Sequence, residues 1–190
     1  MNTKNKKLKI AIAGLGFGKK VHLEALKESD YLTPVAIYHY ETKQKSILEK
    51  ETGLEFFHNW EELVKSPKID GIIIATPPES RFKLAKQALE NNKNLLLEKP
   101  VSISSSEIEE LQRISLINNL SVCVDFEYRA VPLFLQTKKL IDENILGDIY
   151  LVKLDWLMGS RSDPKRSWNW YSLEEKGGGV IGALGTHAFD

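Results

Sequence analysis

The sequence predicts an α/β fold: a doubly wound parallel sheet up to about residue 125, followed by the start of a second, incomplete α/β domain over 126–190. Three observations predict it. Short apolar runs alternate with segments of helical period, the pattern of a parallel sheet with crossover helices. The run Gly71 to Ala75 is apolar throughout, as a strand covered on both faces must be. After Arg129 the rhythm changes.

Leu8 to Ala13 is the first strand, followed by the turn Gly14-Leu15-Gly16-Phe17-Gly18 and a helix from about Lys19 to Glu28. Val35 to Tyr38 is a second strand and Thr42 to Glu51 a second helix, with Gly53 placed to end it. Phe56-Phe57 is a short third strand, Trp60 to Lys65 a short helix, and Gly71 to Ala75 the fourth strand. Thr76-Pro77-Pro78 stops that strand, and Glu79 to Asn91 is helical. Asn94 to Leu97 is the fifth strand, ending in Glu98-Lys99-Pro100. Ser104 to Asn118 is a helix whose Ser104 and Glu107 have the spacing of a capping box, and Ser121 to Asp125 is the sixth strand.

Beyond that, Val131 to Glu143 reads as a helix and Ile149 to Met158 as a long strand. Gly159 to Lys176 is a polar, tryptophan-containing loop, and Gly177-Gly178-Gly179 leads into an apolar helix. One strand and its helices cannot bury both faces of a sheet, so this second domain is expected to be truncated.

The totals exclude several classes. Lys and Arg number 26, as do Asp and Glu, so the formal net charge is zero. Nucleic acid and anionic membrane surfaces, which call for a net basic face, are therefore not expected partners. The single cysteine, Cys123, forms no intramolecular disulfide and reads as a small core residue between Val122 and Val124. No signal peptide or membrane span is visible, and a cytoplasmic protein is expected. His39 and His58 are scattered, and no His/Cys/Asp cluster has ligand spacing, so no metal site is expected.

The glycine turn follows a strand and opens a helix, the context that gives such a motif meaning. Gly14 permits the tight turn, Gly16 lets the backbone approach a pyrophosphate, and N–H groups at the helix start meet its negative charge. The third glycine of G-x-G-x-x-G would fall at Lys19, while Gly18 sits one residue early. The expected ligand is a nicotinamide dinucleotide. An acid at the end of the second strand would bind the ribose 2′-hydroxyl of NAD. That place holds Tyr38-His39-Tyr40, with Glu41 slightly beyond and only Lys43 and Lys45 offered to a phosphate, a mild lean to NADP over NAD.

Thr76-Pro77-Pro78 lies where open α/β sheets bind ligands, and it reads equally as a proline stop. Lys99, at the end of the fifth strand, is either surface charge or a group placed beside the nicotinamide to hydrogen-bond a substrate hydroxyl.

These residues resemble the glucose-fructose oxidoreductase/inositol dehydrogenase/rhizopine catabolism (Gfo/Idh/MocA) oxidoreductases. The carriers are Gly14-Leu15-Gly16 with His22, Ala75-Thr76-Pro77-Pro78, Glu98-Lys99-Pro100, Tyr128-Arg129, and Gly177-Gly178-Gly179 followed by Gly185-Thr186-His187. The resemblance implies a Rossmann domain, a C-terminal α/β domain with an open sheet, and reversible hydride transfer between NAD(P) and a sugar, cyclitol or related polyol. It implies Lys99 and His187 as catalytic residues. With the turn and strand ends, the expected cofactor contacts are Gly14, Leu15, Gly16, Phe17, Gly18, His39, Tyr40, Thr76, Pro77, Pro78, Glu98, Lys99 and Arg129. The full-length form is expected to be a homo-oligomer.

Three departures accompany the match. Ala183 stands where the family often has an aspartate four residues before the histidine, and Arg81 where many members have histidine. Family members also continue well past this point. His187, on titration chemistry, is the better base, with Lys99 stabilising the developing alkoxide. Asn169, Trp168 and Trp170 line a pocket mouth or pack between domains, and His22 is read as a local or cofactor-proximal contact. The rival expectation is a truncated or degenerate nucleotide-binding relative without catalysis.

Overall fold

The computed structural model describes residues 6–159, 163–165 and 167–190. The chain divides into two units, Met1–Asp125 and Phe126–Asp190.

The first unit is one parallel sheet of six strands, β1 (Leu8–Ala13), β2 (Leu32–Tyr38), β3 (Glu55–Phe57), β4 (Gly71–Ile74), β5 (Asn94–Glu98) and β6 (Val122–Asp125). Their order is β3-β2-β1-β4-β5-β6, that of a Rossmann dinucleotide-binding sheet. The direction of strand succession reverses between β1 and β4, which pair in parallel from Ile10↔Gly71 to Ala13↔Ile74.

Alternation along the strands builds two cores. Ile10 and Ile12 of β1 face Leu23 and Leu26 of α1 (Leu23–Lys27) and Leu48 of α2 (Lys45–Thr52), together with Ile37 and Ile73. Ala11 and Ala13 face the opposite way. There they join Ile72, Ile74, Leu95 and Leu97 against Leu63 of α3 (Trp60–Lys65), Ala85 and Leu89 of α4 (Pro78–Glu90), and Leu111 of α5 (Ser105–Ile117). The small alanines of strand and helix let α4 lie close to the sheet.

Local chemistry sets the helix ends. Asn59 caps α3, its Oδ1 accepting from the N–H of Glu61 at 2.9 Å and of Glu62 at 3.4 Å. Pro78 occupies the first position of α4, where its missing N–H costs nothing. Gly53 closes α2, donating to the Glu49 carbonyl at 2.9 Å. A π-helical turn, Gly18–His22, leads into α1.

Two expectations in this unit need correction. Ser104 and Glu107 do not form a capping box: the Glu107 carboxylate accepts from Ser102 Oγ, and Ser104 Oγ lies 2.8 Å from Ser106 Oγ. The nearer hydroxyl at Ser102 wins the carboxylate. Cys123 is exposed rather than buried, because β6 is an edge strand paired on one side only.

Among its described residues the second unit contains α6 (Pro132–Asp142), 3₁₀ turns at Glu127–Ala130, Trp170–Ser172 and Glu174–Lys176, a π-helical turn Ile181–Gly185, and α7 (Thr186–Phe189). The strand expected over 149–158 is absent: among the described residues no strand occurs beyond β6. A strand's N–H and C=O groups need a neighbouring strand, and among the described residues this segment has none. Leu151 and Leu157 are 84% and 93% exposed. Among the described residues no helix is long and apolar enough to cross a membrane.

Candidate active site

The carboxyl ends of β1, β2, β4, β5 and β6 share one edge of the sheet, so the residues that follow each strand form a row. Gly14 follows β1 with φ of +118°, a conformation L side chains rarely adopt. A Cβ there would come within 2.6 Å of the Ala75 carbonyl oxygen, so the chain crosses the end of β4 at backbone distance. At Gly16, by contrast, a Cβ would meet nothing within 4 Å. The first N–H groups of the helical stretch that begins at Gly18 have no acceptor within the helix. Open space, a bare backbone and these donors fit a pyrophosphate.

Gly18 carries the third glycine's role that the sequence pattern assigned to position 19. A Cβ at Gly18 would meet Ile12 Cγ2 at 3.0 Å and Ala75 Cβ at 3.2 Å, so the glycine is what lets the helix sit directly on the sheet. Lys19 instead turns toward α2 and pairs with Glu51. Phe17 packs edge-on to His22 at 5.3 Å, and Leu15 packs against the Ile12 side of the core.

At the end of β2 the Tyr38 carbonyl accepts from the Gly14 N–H at 3.4 Å, joining this strand end to the glycine turn. The Tyr38 ring packs on Trp60 at 4.9 Å, and burial pushes its hydroxyl above the usual tyrosine value. His39 and Tyr40 stack at 4.6 Å, with the Glu41 N–H donating to His39 Nδ1 at 3.2 Å. Thr76 Oγ1, beyond β4, is buried without a hydrogen-bond partner in the protein, a hydroxyl left over for a ligand at that edge.

The densest polar chemistry surrounds Glu98-Lys99-Pro100. Glu98, the last residue of β5, is 8% exposed and pairs in register with Asp125 of β6. His22 Nε2 lies 2.8 Å from Glu98 Oε1 and 3.5 Å from Asp125 Oδ2. Burial pushes the Glu98 carboxyl up, but hydrogen bonding with His22, the charge of His22, hydrogen bonding with Asp125 and the charge of Arg81 outweigh it, holding the group below the usual carboxylate range. Arg81, on α4, is 2% exposed. Its guanidinium donates to the carbonyl oxygens of Thr76, Glu98 and Pro100. Lys99 stands half-buried between the last two.

His22, Glu98 and Asp125 present ligand atoms within 4.8 Å of one another, a convergence that the expectation drawn from spacing along the chain did not address. They are far apart in sequence, and ligand spacing along the chain cannot register residues that converge only at strand ends. His22 is likewise more than a local contact. The signal that would have found the cluster is topological: adjacent β5 and β6 bring residues 98 and 125 into register. Arg81 was visible only as a departure, because its partners are backbone carbonyls, which carry no sequence signature.

In the second unit the His187 ring sits among Tyr128, Phe126 and Trp156 at centroid distances of 4.6, 6.0 and 6.1 Å, with Glu127 Oε1 3.6 Å from its Nε2. Ala183 is 6% exposed. Arg129 is engaged by Asp190, Nε to Oδ2 at 2.6 Å, and Trp170 stacks on Tyr171 at 3.8 Å.

Residues 8–126 match the family described as "Oxidoreductase family, NAD-binding Rossmann fold", under the family name GFO_IDH_MocA. The chain belongs to the Gfo/Idh/MocA oxidoreductases. Residues 138–190 match the same family's C-terminal alpha/beta domain. An uncharacterized oxidoreductase of Synechocystis sp. is 40% identical over 189 residues, 99% of this chain and 51% of that protein. Glucose-6-phosphate 3-dehydrogenase of Bacillus subtilis is 29% identical, over 96% of this chain and 52% of its own length. The chain thus spans about half the length of these curated relatives. Among solved structures, scyllo-inositol dehydrogenase from Lactobacillus casei with bound NAD(H) and scyllo-inositol is similar with a TM-score of 0.70 and 26% identity, covering 76% of this chain and 43% of that one.

Proposed function

We propose that this chain is the cofactor-holding part of an NAD(P)-dependent dehydrogenase that transfers hydride between nicotinamide and a secondary alcohol of a sugar, cyclitol or related polyol. One observation carries it: Lys99 is fixed at the end of β5, on the same sheet edge as a glycine turn whose shape suits a pyrophosphate. The sugar and inositol dehydrogenases it resembles support the substrate class.

The nicotinamide, when bound, supplies hydride acceptor and donor chemistry. Gly14, Leu15, Gly16, Phe17 and Gly18 would hold the pyrophosphate, and Thr76, Pro77, Pro78 and Arg129 would be further cofactor contacts. His39 and Tyr40 present a stacked aromatic face and no carboxylate to the adenosine ribose, which favours NADP. Lys99 donates to the substrate oxygen and stabilises negative charge on it during oxidation. His187 would take the hydroxyl proton, and Glu127, whose Oε1 lies 3.6 Å from its Nε2, would stabilise the imidazolium so formed. Glu98 serves the site by holding the strand end next to Lys99. The complete protein works as a homo-oligomer.

The test is titration of the purified chain with NADPH and with NADH, following tryptophan quenching and energy transfer to the dihydronicotinamide. Saturable binding, tighter for NADPH, is expected; no binding of either cofactor at about 1 mM, a ΔG of about −4 kcal/mol, overturns the proposal. A second reading, a nucleotide-binding relative without catalysis, is favoured by Ala183, which offers no carboxylate one helical turn before His187. Cofactor binding without turnover of any polyol by the complete protein would establish it.

A further inference from the structure

We propose that Arg81 is a positioning residue that clamps the turn after β4 to the turn after β5 and thereby sets where the Lys99 side chain stands. The inference rests on the reading of Lys99 as the group that meets the substrate oxygen. Its own evidence is the destination of the guanidinium's donors. Arg81 is among the most deeply buried side chains of the protein, at 2% exposure. Its fork reaches three main-chain oxygens, those of Thr76, Glu98 and Pro100.

Two of these flank Lys99 directly, so both neighbours of that lysine are tied to one rigid, planar group. The third lies across the edge, beside the glycine crossing at Ala75. An arginine retained only to neutralise a buried acid would spend its donors on the carboxylate. Here the Glu98 carboxylate is met by His22, and besides its charge near Glu98 the arginine ties three backbone carbonyls. A lysine has a single nitrogen at the end of a flexible stem and cannot hold three carbonyls in one plane.

The test compares wild type with Arg81→Ala and Arg81→Lys by two measurements that need no turnover. The first is amide hydrogen exchange. The second is acetylation of Lys99 by acetic anhydride, scored by mass spectrometry against the exposed Lys43. Exchange over 76–80 and 98–103 should rise about tenfold, while Ile10–Ala13 and Ile72–Ile74 keep wild-type protection. Lys99 acetylation should rise several-fold in Arg81→Ala and by less in Arg81→Lys. Unchanged Lys99 acetylation in both variants overturns the proposal. So does a rise in exchange spread evenly over the sheet, or failure of both variants to fold, since either would make Arg81 part of the general scaffold. If wild type binds neither NADPH nor NADH, the functional reading fails while the exchange and labelling results still decide the clamp.

Discussion

The two units treat their apolar residues in opposite ways. In the first, Ile12, Ile37, Ile74, Leu89 and Leu97 are completely buried between sheet and helices. In the second, Leu133 on α6 is 79% exposed and Leu157 93% exposed, and among its described residues only Ala183 is a buried apolar residue. Both units carry many apolar residues, so apolar content alone does not decide which segment forms a core. What differs is closure. Each strand of 1–125 except the two at the edges has a neighbour on both sides, whereas 149–158 has no strand beside it among the described residues. Stability should reside in the first unit.

The strongest challenge to that comparison is a pair of truncations. Leu89→Ala, in the α4 core, should lose about 2–5 kcal/mol in urea unfolding followed by circular dichroism. Leu157→Ala should stay within about 0.5 kcal/mol of wild type. Equal losses would show that the exposed segment is packed after all.

A smaller effect sharpens the role of the polar edge. Removing the His22 contact by His22→Ala should cost about 1.5–3 kcal/mol at neutral pH, the worth of a hydrogen bond to a charged group. Because the folded Glu98 carboxyl is held below its usual range, its stabilisation is present at neutral pH. It is lost as pH falls through the carboxylate range toward the lower folded value. The difference between wild type and Glu98→Gln should therefore shrink on acidification. A constant gap down to acid pH would mean that Glu98 contributes nothing through its charge.

Gly14→Ala combines an unfavourable φ with a Cβ at 2.6 Å from the Ala75 oxygen. It should destabilise by about 1–3 kcal/mol and weaken NADPH binding more than the unfolding midpoint suggests. The smallest effect is expected in the second unit, where the ion pair of Arg129 with Asp190 leaves the arginine side chain 71% exposed. Arg129→Ala should leave the melting temperature unchanged while lowering cofactor affinity; a large drop in melting temperature would give this pair a structural weight its exposure does not predict.

Much of the fold was legible because its strands are continuous apolar runs punctuated by Gly, Pro and Asn. Trp60–Lys65 and Leu8–Ala13 form where the pattern places them. The glycine turn was legible too, although Gly18 rather than position 19 provides the close packing. What the sequence hid depends on convergence. Arg81 serves carbonyls at 76, 98 and 100, and His22 reaches Glu98 across 76 positions. The Ser104–Glu107 box failed because Ser102 competes for the same carboxylate, and the strand at 149–158 because alternation says nothing about whether a partner exists.

The central place of β1 has a consequence for how the protein is made. β1 leaves the ribosome first, pairs with β2 soon after, and must then wait for β4, since Ile10 and Gly71 are register partners. Contacts this distant in sequence close late and slow folding. The glycine crossing over Ala75 cannot exist before that closure, so a nascent chain gains its capacity for the dinucleotide only once β4 has docked on β1.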